Sequence, residues 1–196
     1  PAIKVLRGMY YVHLYAAMER VVNETVEQAI LLIKDQAVLN KHYKTEFNAV
    51  SLYSRMLGFK AAGYKDFFSK SVEVFGSVDA EEAFDLNNTM FSSNLQNVWH
   101  ETIQQTLKCF GISKLCLESR VRFTVDEIVD KRNAVAHGRE SPITVGERHR
   151  CDVLRQKTQE IQGVVDLFVD AFETHITNKL YIKDHYRPNY SNALPA

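Results

Sequence analysis

The sequence predicts an all-α protein: an antiparallel bundle of about four main helices with a few short ones added. Three observations carry that reading. Apolar residues recur at helical spacing through long stretches. Glycines stand where several of those stretches stop. No segment shows the sustained apolar–polar alternation, or the Asn-Gly and Asp-Gly turns, of a hairpin. With 196 residues and 45% apolar content, the chain can bury one good core but falls short of two ordinary domains. Residues 1–185 are therefore expected to form a single domain. Residues 186–196, which include Pro188, Asn189, Ser191, Asn192 and Pro195, are expected to be an unpacked tail.

The first forty residues read as one helix ending near Asn40, with Leu6, Tyr10, Leu14, Ala17, Val21 and Leu32 as its inward stripe. The signal weakens from Lys41 to Asn88. Short helices are expected over 47–59 and 64–75, separated by Gly58 and Gly63 and closed by Gly76. Ser92 and Ser93 are candidate caps for a helix carrying Leu95, Val98, Trp99, Ile103, Leu107 and Phe110, and Gly111 is its natural stop. Thr124 and Glu127 have capping-box spacing, with Phe123 and Ile128 placed as a hydrophobic staple. The helix they open runs to Gly138. Thr144 and Glu147 repeat that spacing and open a last helix to about Asn178, facing inward through Val153, Leu154, Ile161, Val164, Val165, Phe168 and Phe172. No repeat of solenoid period is present.

Composition excludes several classes. Eleven Phe, nine Tyr and only four Pro fit a compact protein rather than a disordered one. No apolar run approaches the roughly 20 residues of a membrane-spanning helix, and the N-terminus lacks the order of a secretory signal. A cytoplasmic location without membrane contact is expected. Pro1 in place of an initiator Met is compatible with initiator removal and with a piece of a longer chain alike. Cys109, Cys116 and Cys151 are odd in number and scattered, against a disulfide framework or zinc site and for a reducing compartment. His13, His42, His100, His149, His175 and His185 show no metal-like spacing. Gly8, Gly58, Gly63 and Gly76 form no phosphate loop, and no Ser-His-Asp set has recognisable context. No cofactor and no metal are expected. Net charge is zero, but residues 108–157 carry eleven basic and seven acidic side chains, a surplus of four. That leans mildly toward a polyanionic partner.

One segment carries chemistry. At about 100° per residue, Val125, Ile128, Val129, Arg132 and Ala136 fall on one stripe, with Arg132 where the pattern asks for Leu. A guanidinium keeps its proton and is costly to bury unpaired, so Arg132 must meet a partner, an interface or an anion. Asn133 and His137, four apart, share a face beside that stripe. Arg132 and His137 are about 140° apart on an ideal helix, so convergence on one phosphate needs the long Arg side chain and a fraying last turn. Glu19 could pair with Arg132, although a solvated glutamate is the commoner reading. Trp99 and the tyrosines could stack bases, although aromatics at helical spacing usually build core. The plainer reading of the pair is a histidine closing a helix and an arginine in an internal ion pair.

The run Arg132-Asn133-Ala134-Val135-Ala136-His137-Gly138 resembles the motif of the HEPN family: Arg, a polar residue, a few small or apolar residues, then His. The preceding apolar-acidic turn, the LYAAMER stretch from Leu14 to Arg20 and the segment from Ser92 to Ile112 resemble the subgroup called MAE_28990-like or RiboL-PSP-like HEPN. Residues 41–88 add nothing to the match. The resemblance implies a metal-independent ribonuclease, usually a homodimer whose two Arg-His pairs meet in one cleft. His137 would be the acid/base, Arg132 the phosphate clamp and Asn133 an orienting group. The partners implied are an RNA substrate, a second copy, and an antitoxin, inhibitor or activator, in a prokaryotic antiviral or toxin setting. The alternative is a non-catalytic HEPN module that dimerises or binds RNA within a larger assembly.

Overall fold

Thirty-three residues without an internal proline form the first helix, α1 (Ala2–Lys34). The computed structural model describes residues 2–92 and 97–190. Further along lie α2 (Asn48–Ser51), α3 (Tyr53–Ala61), α4 (Phe67–Ser77), α5 (His100–Phe110), α6 (Ser119–Ala136), α7 (Pro142–Glu147) and α8 (Cys151–Thr177), with 3-10 turns at Asn40–His42, Thr45–Phe47 and Arg187–Tyr190. Among the described residues there is no strand, only an isolated bridge between Tyr43 and Ile182. The chain is all-α, and α1, α5, α6 and α8 are its main helices. None of its described helices is long and apolar enough to cross a membrane. The chain divides into two compact units, and α1, α5 and α8 contribute residues to both.

The first unit comprises residues 1–25, 95–104 and 115–170. Tyr11, Tyr15, Met18 and Val22 of α1, Val125, Ile128 and Val129 of α6, and Ile161, Val164 and Phe168 of α8 are buried in it. The inward face of α1 is thus one residue on from the expected stripe. Leu6 is 69% exposed, Ala17 is exposed, and Tyr10, Leu14 and Val21 lie half-buried. Both neighbouring faces of α1 are apolar, and packing selects the face of Tyr11, Tyr15, Met18 and Val22; Tyr15 finds hydroxyl partners there. At Gly8 and Gly146 an added Cβ would fall 1.9 Å from the carbonyl oxygens of Pro142 and Lys4 respectively, so α1 and α7 touch backbone to backbone.

Several helix ends differ from expectation. α5 begins at His100, whose N–H donates to Asp126 Oδ1 at 2.9 Å, so a carboxylate from α6 closes this end. Ser92 instead donates to Thr89 O. The expected cap Ser93 and inward Leu95 lie outside the described residues. α6 begins at Ser119, a turn and more before Thr124; the Thr124 hydroxyl points inside the unit and donates to Glu160. The stripe of α6 holds through Arg132, but Ala136 is exposed and Ala134 is buried in its place. Thr144 and Glu147 fall in the separate short α7, where Ser141 is the cap and accepts from Thr144 N–H at 3.1 Å. α8 starts only at Cys151.

The second unit comprises residues 26–94, 105–114 and 171–196. Phe110 sits among Phe47, Phe91 and Phe172, with ring centroids 4.8–5.9 Å away. Gly58 and Gly76 lie inside α3 and α4 rather than ending them. The expected loose tail is packed as far as Tyr190. Tyr186 stacks on His42 at 3.8 Å, the Tyr190 hydroxyl meets His42 Nδ1 at 2.7 Å, and Lys179 Nζ donates to Tyr190 O. Its apolar rings find an aromatic shelf that composition could not announce. Ser191, Asn192 and Pro195 lie outside the described residues.

Candidate functional site

α6 puts Arg132 at the edge of the first unit's core, where its side chain keeps 18% of its exposure. The guanidinium lies over the ring of Tyr15, 3.7 Å from the centroid. Its Nη1 donates to Asn133 Oδ1 at 2.9 Å, and its Nη2 is 3.5 Å from Glu19 Oε1. Tyr15 completes the group: its hydroxyl donates to Glu19 Oε1 at 2.6 Å and accepts from Val98 N–H at 3.2 Å. Burial, then the bond to Glu19, push the Tyr15 phenol up to about 12, so it stays a neutral donor. Asn133 Nδ2 donates in turn to Asn97 Oδ1 at 3.1 Å. A planar cation stacked on a ring, hydrogen-bonded at one nitrogen and ion-paired at another, is held in orientation as well as in place.

His137 occupies the C-cap of α6 (φ −92, ψ 6). Its N–H donates to Asn133 O at 3.0 Å, and its side chain is exposed. Gly138 follows with φ 69, a left-handed conformation suited to glycine, and its N–H donates to Val135 O at 3.2 Å. The structure therefore joins Arg132 and Asn133 in one hydrogen-bonded cluster. It links His137 to that cluster through the backbone and leaves the imidazole in solvent. Beyond the cap, Arg139 lies 3.6 Å from Asp130 and Arg148 2.9 Å from Glu140.

The spacing of the motif indicated neither Tyr15 nor Asn97, and Glu19 was the less expected partner. A second polar group in this unit joins Glu127 to Lys157 and, at 3.7 Å, to His149. The His149 ring lies 5.2 Å from Tyr11, and burial pushes its pKa down. A separate cleft of about 470 Å³, lined by Ile3, Leu6, Arg7, Tyr10, Leu154 and Arg155 among others, contains no motif residue. Among the described residues no group of three or more His, Cys, Asp or Glu is placed to hold a metal ion.

The family model RiboL-PSP-HEPN matches residues 1–178. The chain belongs to that family. HEPN domains are generally ribonucleases or RNA-binding modules, and this RiboL-PSP-HEPN chain carries Arg132 and Asn133 on α6 and His137 at its C-cap. No curated protein and no solved structure matches it.

Proposed function

We propose that this RiboL-PSP-HEPN chain is a metal-independent endoribonuclease that cleaves RNA by attack of the 2′-hydroxyl on the adjacent phosphorus. The 5′-oxygen leaves, and the products are a 2′,3′-cyclic phosphate and a 5′-hydroxyl. The observation that carries this reading is a guanidinium held by Asn133 and Tyr15 five residues from an exposed imidazole on the same helix. Cleavage without metal needs a base for the 2′-hydroxyl, an acid for the leaving oxygen and cationic donors for the phosphorane. One chain offers one such His, so two copies related by a two-fold axis supply both proton-transfer groups and two guanidinium forks. Asn133 keeps the Arg132 fork aimed. A free ribonuclease would attack host RNA, so an antitoxin, inhibitor or activating partner belongs to this reading, as does a role in prokaryotic antiviral defence or a toxin pair.

One observation favours the second reading, a non-catalytic module for RNA binding or dimerisation. Arg132 already has an anion, Glu19, 3.5 Å away. In that reading the cluster is an internal ion pair that stiffens α1 against α6. Incubation of purified protein with a mixed RNA pool in EDTA separates the two. Cyclic-phosphate ends that disappear in His137→Ala support the ribonuclease, whereas binding without cleavage by a folded wild type supports the module.

A further inference from the structure

α3 and α4 bury none of their residues. They pair with each other through Phe59 and Phe67, 5.0 Å between ring centroids. On α4 this leaves Phe68, Val72 and Phe75 at successive spacings of four and three, one helix face, exposed by 75%, 72% and 74%. Tyr64, just before the helix, is 94% exposed. The largest apolar patch on a chain that stays monomeric is about 300–600 Å². An aromatic side chain buries about 150–250 Å², so Tyr64, Phe68 and Phe75 alone offer roughly 450 Å². Val72 with the half-exposed Met56 and Leu57 brings the hairpin toward the ~800 Å² per partner of a standard interface.

Gly76 is the second observation. It lies in the last turn of α4, where a glycine costs about 0.5–1 kcal/mol relative to alanine. In the protomer an added Cβ would meet nothing within 4 Å, as at Gly58, Gly63 and Gly163; what sets Gly76 apart is its place one turn from Val72 on the exposed apolar face, where it leaves a gap.

We propose that α4 is a self-association face that packs antiparallel on α4 of a second copy of this chain, about a two-fold axis through Val72. Residues equally far from Val72 then oppose each other. Phe68 meets Gly76 of the second copy, and Phe75 meets Ser69, so each large ring fills the gap left by a small residue. Lys65 stands opposite Asp79 of the second copy, and both are exposed in the protomer. Among the described residues neither has an ion-pair partner. Every contact occurs twice, as an isologous interface requires. This association goes beyond the ribonuclease reading and does not rest on it, since it uses none of Arg132, Asn133 or His137.

The test is the mass of the full chain in solution, by light scattering after gel filtration, with circular dichroism and thermal melting as fold controls. Wild type is expected to be an oligomer. Phe68→Ser with Phe75→Ser is expected to reduce its mass to half or less. Gly76→Leu is expected to do the same with an unchanged or raised melting temperature. That variant adds apolar surface, so an increase in mass would mean unspecific sticking and overturn the proposal. A wild type no heavier than one chain, or variants of unchanged mass, would also overturn it, and so would a monomer that binds anionic lipid vesicles through this face. As a second measurement that needs no loss of surface, Val72→Cys with Cys116→Ser and Cys151→Ser should cross-link to itself on mild oxidation; no Val72→Cys dimer means the register is wrong. RNA cleavage by wild type and His137→Ala reports separately on the ribonuclease reading.

Discussion

Glu19 and Arg132 face each other from α1 and α6, carboxylate Oε1 3.5 Å from guanidinium Nη2, and Tyr15 touches both. A substrate phosphate at Arg132 would compete with Glu19. Glu19→Gln keeps an acceptor for the Tyr15 hydroxyl and removes the competing charge. RNA affinity should rise a few-fold, and the slope of log affinity against log salt should steepen by about one phosphate contact. Binding titrations at several salt concentrations check this. An unchanged slope would mean that no phosphate reaches Arg132. The fold should lose more than the roughly 1 kcal/mol of an exposed pair, because Arg132 keeps its charge and only 18% of its exposure.

Arg132→Lys keeps the charge but loses the planar fork, the stack on Tyr15 and the bond to Asn133 Oδ1. Cleavage should fall by about 10²-fold or more, as when one donor to a developing oxyanion is lost. If lysine retains most of the activity, Arg132 acts as a point charge and Asn133 has no orienting role.

His137→Ala separates chemistry from folding. The side chain is exposed at a helix end, so the melting free energy should move by no more than about 0.5 kcal/mol. Loss of a general acid/base should reduce cleavage about 10²–10⁴-fold. A variant that melts far earlier would instead assign His137 to the fold.

What was legible in the sequence was what depends on neighbours along the chain. The glycine stops at Gly111 and Gly138 follow from a local demand for positive φ, and both residues have it. Arg132 and Asn133 stood out because a cation interrupts an apolar stripe, and the structure joins them. What failed depends on distant residues. The end of α5 is closed by Asp126, 26 residues on, which no local capping pattern reveals. The inward face of α1 lies one residue on from the expected stripe because apolar side chains occupy two adjacent faces, and packing chooses between them. Tyr15 and Asn97 entered the site for the same reason.

The crossing of α1 and α7 at Gly8 and Gly146 gives a stability prediction that sequence reading had no reason to make. Gly8 forms no phosphate loop; its role is to let a helix backbone lie against Pro142. Gly8→Ala puts a methyl into a backbone carbonyl that cannot rotate away. It should cost at least the 1–3 kcal/mol typical of overpacking, and Gly146→Ala should behave alike. Denaturant melts of both variants check this. Gly163→Ala, where an added Cβ meets nothing, should be neutral or stabilising.

His175 sets the response of the fold to acid. It is buried, and burial, then the nearby Lys44 charge, push its pKa down to about 4. In the unfolded chain the imidazole takes up its proton near 6.5. Between those values the unfolded state binds more protons, so stability falls as the solution is acidified. The contribution is complete above pH 6.5, erodes as pH falls toward 4 and is exhausted below that. At 1.36 kcal/mol per unit, and discounted for partial solvent relaxation, the loss is about 2 kcal/mol. His42 and His149, also pushed down mainly by burial, act in the same direction. Urea midpoints for wild type should therefore drop between pH 7.5 and 4.5. The drop should be smaller in His175→Gln, which cannot charge; an equal drop in that variant would move the acid sensitivity to the other two histidines or to the carboxylates.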